Sequence, residues 1–230
     1  MALDRDKCIL FFVKCPDSGV VKTRLAADIG KDNTVELYKC FVLDMLSVIR
    51  KSGFDFRICF YPGSLEHQIA DWLGESYEYM PQKGSDIGQR MKNAFLQCFG
   101  QGYSKAILIG SDSPDLPSEY LNLGLLALDS NDAVIGPSSD GGYYLIGFNR
   151  RAFLTRAFEN ISWSSENVFT ETVDIINTHR EKLYMLPQWH DVDTYADLEA
   201  LLERNKDTAF ENSKTYFFLI TNKLRSDSNV

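Results

Sequence analysis

The stretch Cys8-Ile9-Leu10-Phe11-Phe12-Val13-Lys14-Cys15-Pro16-Asp17-Ser18-Gly19-Val20-Val21-Lys22-Thr23-Arg24-Leu25 changes character twice. Its first six residues are an apolar run that reads as a buried strand over residues 7–14. Pro16 and Gly19 break that run into a tight loop. Lys22, Thr23 and Arg24 then lead directly into a helical pattern. A strand, a glycine loop and a helix start make an anion pocket, because free N–H groups and the helix dipole favour negative charge there. Lysine adds a point charge, and arginine adds a fork that fits phosphate oxygens. The plainer alternative is a solvated basic turn after an edge strand. Two familiar phosphate motifs do not match. A Walker A loop needs glycine where Val21 stands, and a dinucleotide fingerprint needs three glycines where only Gly19 is present.

Working outward, the whole chain of 230 residues fits one large α/β domain or two small ones. With 44% hydrophobic and 13% aromatic residues it can fill a core without a disulfide or a structural metal. A formal net charge of −8 argues against non-specific nucleic-acid binding but allows a local basic pocket. The five cysteines are odd in number and form no C-x-x-C pair, which reads as buried, reduced thiols in a cytoplasmic protein. The polar start, residues 1–7, has no secretory pattern. No run of 18 apolar residues exists, so no membrane span is expected.

In chain order, Asp32-Asn33-Thr34 offers helix caps, and Val35, Tyr38, Val42, Met45 and Ile49 follow as one buried helical stripe. Strands are expected over 54–61, around 77–80, and over 106–109, 133–136, 143–148 and 183–186. Helices are expected over 65–73, from Ser85 or Asp86 to about 99, and over 118–128, 152–158, 165–179 and 194–203. Thr194 and Asp197 are spaced as a capping pair. The 106–109 strand is apolar at every position and therefore central. The pattern predicts an α/β fold with a mostly parallel, mixed sheet covered on both faces, and an antiparallel addition between 133 and 148. Residues 1–204 are expected to form the domain and 205–230 a tail. In that tail the apolar cluster 216–220 docks as a helix or strand, or packs on a second subunit. A homodimer is one arrangement it allows. Residues 226–230 are expected to be disordered.

Polar clusters recur at the carboxyl ends of these strands, where open parallel sheets bind ligands. Lys14 to Arg24 follows the first. Asp112 follows an apolar strand, and a carboxylate there can hold Mg²⁺ or Mn²⁺ together with substrate phosphates and water. The alternative is that Asp112 or Asp115 caps the next helix. Asp193 is either a second metal carboxylate or a helix cap. Asp140-Gly141-Gly142 suits recognition of a sugar or acceptor hydroxyl, with a hairpin turn as the competing and compatible reading. Asp86, Gly88 and Arg90 at a helix start suit an anion or a base edge, with an ordinary capped helix as the alternative. Trp163 lines a pocket or packs as a core or lid aromatic. No serine lies in a G-x-S-x-G context and no His/Cys cluster has zinc spacing, so the spacing favours electrophilic chemistry on phosphates.

Taken together, certain motifs are family-like. They are Lys14-x-Pro16-x-x-Gly19-x-x-Lys22-Thr23-Arg24-Leu25, Asp86-Ile87-Gly88-x-Arg90-Met91, and Ile109-Gly110-Ser111-Asp112-Ser113-Pro114-Asp115-Leu116-Pro117. Further on come Gly136-Pro137-x-x-Asp140-Gly141-Gly142-Tyr143-Tyr144-Leu145-Ile146-Gly147, Trp163-Ser164 and Asp191-Val192-Asp193-Thr194. This set, spanning residues 7–203, resembles a bacterial family of candidate glycosyltransferases. That family was formerly a domain of unknown function, and some members are called selenodomain-associated transferases. It is similar to the GT-A, or nucleotide-diphospho-sugar transferase, superfamily, which includes the molybdenum-cofactor and phospholactate guanylyltransferases. The resemblance implies a single three-layer α/β/α domain. It also implies nucleotide phosphates on the first loop, a divalent metal at Asp112 and the acceptor near Asp140.

The expected function is a metal-dependent transferase with a nucleotide-activated donor. Lys22, Arg24, Asp112 and Asp140 would be catalytic. Lys14, Gly19, Lys22, Thr23, Arg24, Asp86, Gly88 and Arg90 would bind nucleotide. Asp140, Gly141, Gly142, Tyr143 and Trp163 would face the sugar or acceptor, and Asp112 and Asp193 would hold Mg²⁺ or Mn²⁺. The donor would be a nucleoside triphosphate or a nucleotide-sugar, the acceptor a small molecule, and the transferred group nucleotidyl or glycosyl. The alternative is a non-catalytic nucleotide-binding or partner-regulating protein.

Overall fold

The computed structural model describes residues 6–16 and 21–222. Gly19 and residues 226–230, for which the sequence carries expectations, lie outside the described residues.

β1 (Lys7–Lys14) is buried on both faces between β2 (Asp55–Tyr61) and β4 (Lys105–Ile109), and is parallel to both. Its continuous apolar run is what a strand with helices on either side requires. β3 (Tyr79–Pro81) extends the sheet beyond β2 in parallel. On the other flank, β5 (Ala133–Pro137) and β6 (Tyr143–Asn149) form a hairpin. β6 runs antiparallel to both β4 and β5, and β7 (Leu183–Met185) closes that edge parallel to β5. The seven strands lie in the order β3-β2-β1-β4-β6-β5-β7. This is the mixed, mostly parallel α/β sheet that the sequence pattern predicts.

Alternation along β1 feeds two cores. Ile9, Phe11 and Val13 pack under α2 (Lys31–Ser52), α3 (Glu66–Leu73) and α5 (Ser118–Ala127). Cys8, Leu10 and Phe12 pack under α4 (Ile87–Gly100) and α6 (Val168–Thr178). A third apolar cluster joins α1 (Thr23–Ile29) to the outer side of α2, α7 (Tyr195–Arg204) and α8 (Lys214–Thr221). α8 is the apolar cluster of the tail. Its first turn is tied to α2 by Asp44, which accepts from the backbone N–H groups of Lys214 (2.9 Å) and Thr215 (2.8 Å). None of the five cysteines is in a disulfide, and no helix among the described residues is long and apolar enough to cross a membrane.

Two local expectations change. α2 begins at Lys31 directly after Gly30, whose φ of 81° separates it from α1, so Asp32 to Thr34 fall in its first turn. Thr34 donates back to the Gly30 carbonyl at 2.8 Å instead of capping. The 152–158 segment is two 3₁₀ turns, Arg150–Ala152 and Thr155–Phe158, rather than an α-helix. With three and four residues each, they are too short to sustain α-helical bonding.

Candidate active site

The chain leaves β1 toward β2 on one side and later returns to place β4 on the other, so the sheet order reverses between β1 and β4. Open α/β sheets bind ligands beyond the carboxyl ends of their strands at such a reversal. A cleft of about 580 Å³ lies there, lined by residues following β1 and β4 and by the start of α4.

Lys22 stands at the head of α1 with φ 47° and ψ 52°, a left-handed conformation that costs a non-glycine residue about 1–2 kcal/mol. Its ammonium is fixed by two carboxylates, Asp112 Oδ1 at 2.6 Å and Asp193 Oδ1 at 2.8 Å. The side chain of Lys22 is only 4% exposed, whereas those of Asp112 and Asp193 are 47% and 40% exposed. The cation is therefore sealed beneath two carboxylates that face solvent. Burial alone would lower the Lys22 pKa, but the charges of Asp112 and Asp193 outweigh it and hold it above the ordinary lysine value. Burial works against the Asp193 carboxylate in the same way. Lys22, followed by Arg24 and Lys14, outweighs that and brings it below its usual range.

The surrounding loops are tied together. The Val192 N–H donates to the Asp112 carbonyl at 2.9 Å. Next to Val192, Asp191 accepts from Ser113 Oγ (2.6 Å) and Ser138 Oγ (2.7 Å), joining the loops after β4, β5 and β7. Burial, and then the negative charge of Asp112, push Asp191 up to about 6. Thr194 and Asp197 form the capping box that starts α7. The cap is thus Thr194, which leaves the Asp193 side chain to Lys22. Asp115 is 1% exposed and committed elsewhere. It accepts from Arg204 Nε (2.7 Å) and Nη2 (3.0 Å), Asn205 Nδ2 (2.7 Å) and Trp189 Nε1 (3.3 Å).

Of the residues singled out from sequence, Lys14, Lys22, Thr23, Arg24, Arg90, Asp112, Tyr143 and Asp193 line the cleft together. The Arg90 guanidinium lies 3.7 Å from the centroid of the Tyr61 ring, and Nε donates to the Gly84 carbonyl at 3.2 Å. Asp86, Gly88, Asp140, Gly141, Gly142 and Trp163 are not among the lining residues. Asp86 caps α4 by accepting from the Gln89 N–H at 2.8 Å. Gly88 lets Trp163 and the Phe158 carbonyl approach so closely that a Cβ would lie 2.5 Å from the indole ring. Asp140 accepts from the Gly142 N–H at 2.9 Å inside the β5–β6 turn, and Gly141, at φ 90°, abuts the Glu166 carbonyl. The cleft also contains Tyr38, Ser111, Tyr61 and Gln82, which the sequence reading gives no functional role. The available signal is Tyr38 itself, since a tyrosine in a buried apolar stripe must find a partner for its hydroxyl.

A divalent cation fits this donor set. Asp112 and Asp193 are hard oxygen ligands, half-exposed and converging on one point. Mg²⁺ and Mn²⁺ sites of this kind use one or two carboxylates with phosphate and water completing the shell. Among the described residues no group of three or more His, Cys, Asp or Glu side chains gathers to hold a metal.

The family model described as "Uncharacterized protein conserved in bacteria (DUF2064)" matches residues 45–165. A candidate nucleotide-diphospho-sugar transferase from Desulfovibrio desulfuricans G20 is 42% identical, with a TM-score of 0.91 over 94% of this chain and 95% of its own. The 4-diphosphocytidyl-2C-methyl-D-erythritol synthase of Anaerococcus prevotii is 15% identical, with a TM-score of 0.55 over 87% of this chain and all of its own. Rv0371c of Mycobacterium tuberculosis in complex with manganese is 14% identical, with a TM-score of 0.51 over 86% of this chain and 98% of its own. The last two share the fold alone. No protein of curated function matches the chain. Because the family model spans more than half of its length and the Desulfovibrio protein matches nearly all of it, the chain belongs to the bacterial DUF2064 family.

Proposed function

We propose that this protein is a metal-dependent transferase that takes a nucleotide-activated donor and passes a group to a small-molecule acceptor. The observation that carries this reading is the sealed Lys22 ammonium under Asp112 and Asp193, beside Arg24 and Lys14, at the β1/β4 reversal. Arg24, Lys14 and Thr23 would bind the donor's phosphates. Arg90, stacked on Tyr61, would meet the base or a further anion, with Asp86 and Gly88 fixing the helix start that presents it. Tyr143 would face the acceptor, with the Asp140-Gly141-Gly142 turn and Trp163 shaping that side. Asp112 and Asp193 would hold Mg²⁺ or Mn²⁺, which when bound neutralises and polarises phosphate oxygens. The name of the Desulfovibrio relative points the same way, and the fold it shares is also that of a protein named as a diphosphocytidyl-methylerythritol synthase and of one that binds manganese.

Nucleotidyl transfer is the first form of this reading, because three cations around one loop suit a departing pyrophosphate. An acceptor oxygen attacks the α-phosphorus, the bond to the β-phosphate oxygen breaks, and pyrophosphate leaves with the electron pair. The protein contributes position and charge rather than a covalent intermediate. Glycosyl transfer from a nucleotide-sugar is the second form, favoured by the name of the 42%-identical relative. The reduced cysteines are consistent with a cytoplasmic setting.

A thermal-shift panel tests the reading. It compares nucleoside triphosphates with nucleotide-sugars, with and without Mg²⁺ or Mn²⁺, because a ligand of the native state raises the midpoint by mass action. A metal-dependent shift with one triphosphate supports nucleotidyl transfer and names the base. A shift with nucleotide-sugars alone supports glycosyl transfer. Asp112→Asn should retain the fold and lower turnover of the donor so identified by about a hundredfold or more. No shift with any compound would sink the reading.

A further inference from the structure

Tyr38 and Ser111 sit in the cleft wall, and the chemistry above gives them no part. Tyr38, on α2, is 2% exposed. Its hydroxyl accepts from the backbone N–H of Lys14 at 2.8 Å and lies 3.0 Å from Ser111 Oγ. It therefore bridges the carboxyl end of β1 to the residue just before Asp112. The Lys14 N–H uses a lone pair of the phenol oxygen, so the phenol proton needs an acceptor of its own. Either hydroxyl can donate across the contact with Ser111 Oγ; with the Lys14 N–H already on the phenol oxygen, donation by Tyr38 to Ser111 gives the phenol proton its acceptor. Burial, and after it the charge of Asp112, push the phenol pKa up, so Tyr38 remains a donor at any physiological pH. Ser111 lines the cleft and is 6% exposed. With Tyr38 as the donor of that pair, the Ser111 hydroxyl proton is left without an acceptor among the described residues, beside a cleft that Ser111 lines.

We propose that Ser111, oriented by Tyr38, is a neutral hydrogen-bond donor to the phosphate oxygens of the donor substrate. Ser111 touches the substrate, and Tyr38 is a positioning residue. A neutral donor at this point adds stabilisation to developing negative charge without competing with a metal for Asp112 and Asp193. The inference rests on the transferase reading and deepens it.

The test uses inorganic pyrophosphate with Mn²⁺ as the probe, followed by calorimetric titration at a temperature below every variant's unfolding midpoint. Ser111→Ala should weaken binding about tenfold, the typical loss for one hydrogen bond to a charged group. Ser111→Thr, which keeps the hydroxyl, should recover most of that. Tyr38→Phe should weaken binding about threefold. The double variant should be no worse than Ser111→Ala alone, because the two act as one unit. Tyr38→Phe removes one oxygen and keeps the ring packing, so it carries the same readout if Ser111→Ala does not fold. If wild type binds the probe and both single variants bind it equally well, the inference is wrong and the transferase reading stands. The inference is equally wrong if the variants lose only thermal midpoint. If wild type itself binds neither the probe nor any donor, the transferase reading fails first.

Discussion

At the scale of single residues, Lys22 occupies the position a divalent cation would contest. Its ammonium touches both Asp112 and Asp193, and its left-handed backbone persists because those contacts and its burial fix it. Lys22→Met removes the internal counter-ion and leaves two carboxylates facing each other. Affinity for bare Mn²⁺ should then rise about tenfold, equivalent to 1.4 kcal/mol. Affinity for pyrophosphate with Mn²⁺ should fall, since the floor of the cleft loses one positive charge. Titration of free Mn²⁺ by electron paramagnetic resonance reads the first quantity directly. Unchanged or weaker Mn²⁺ binding would show that the ammonium and the ion do not share a place. Lys22 and Asp112 were legible in the sequence because each follows an apolar strand, where chemistry gathers in α/β folds. Tyr38 was not. It falls in register with Val35, Val42 and Met45, and the stripe conceals a hydroxyl whose partners lie 24 and 73 residues away.

At the scale of elements, Asp112 and Asp115 look alike in sequence, two carboxylates in one loop after β4. Burial separates them. Asp112 is half-exposed over the cleft, whereas Asp115 is enclosed and holds the end of α7 through Arg204 and Asn205, and the β7–α7 connection through Trp189. Asp115→Ala leaves a half-buried guanidinium without its partner, which should cost about 3–5 kcal/mol. Denaturant unfolding measures it. A loss below about 1 kcal/mol would mean that the knot does not hold the loop. No local signal could rank these two aspartates, because the deciding partner is 89 residues away along the chain. Strand and helix order was legible, and so was the reversed strand. The short connection between Pro137 and Tyr143 leaves room for a hairpin and not for a helical crossover. The cap of α7 was legible for the same reason, since Thr194 and Asp197 carry their spacing within one turn.

At the scale of the whole molecule, the third apolar cluster connects the C-terminal helix to the site. Leu219 of α8 belongs to the same cluster as Leu37 and Phe41 of α2 and Leu198 and Leu201 of α7. The same cluster includes Leu25, three residues after Lys22, and Val192, which stands between Asp191 and Asp193. The described segments around Lys22 and Asp193 therefore share one core, to which α8 contributes. That core was not legible in the sequence, where the last apolar stretch looks separate from everything before it. Leu219→Ala should cost about 2–5 kcal/mol, as deletion of a buried leucine does. Because the cavity opens in the cluster that also holds Leu25 and Val192, it should also weaken binding of pyrophosphate with Mn²⁺, well below the unfolding midpoint. Ile176→Ala is the control. Ile176 is as fully buried, on α6 in the core beneath the opposite face of the sheet, and its loss should lower stability to a similar extent. It belongs to a different cluster from Leu25 and Val192, so the affinity of this variant for the probe should remain that of wild type. Equal losses of affinity in the two variants would trace the effect to general destabilisation. A loss confined to Leu219→Ala would mean that the tail helix sets the geometry of the Lys22–Asp193 contact.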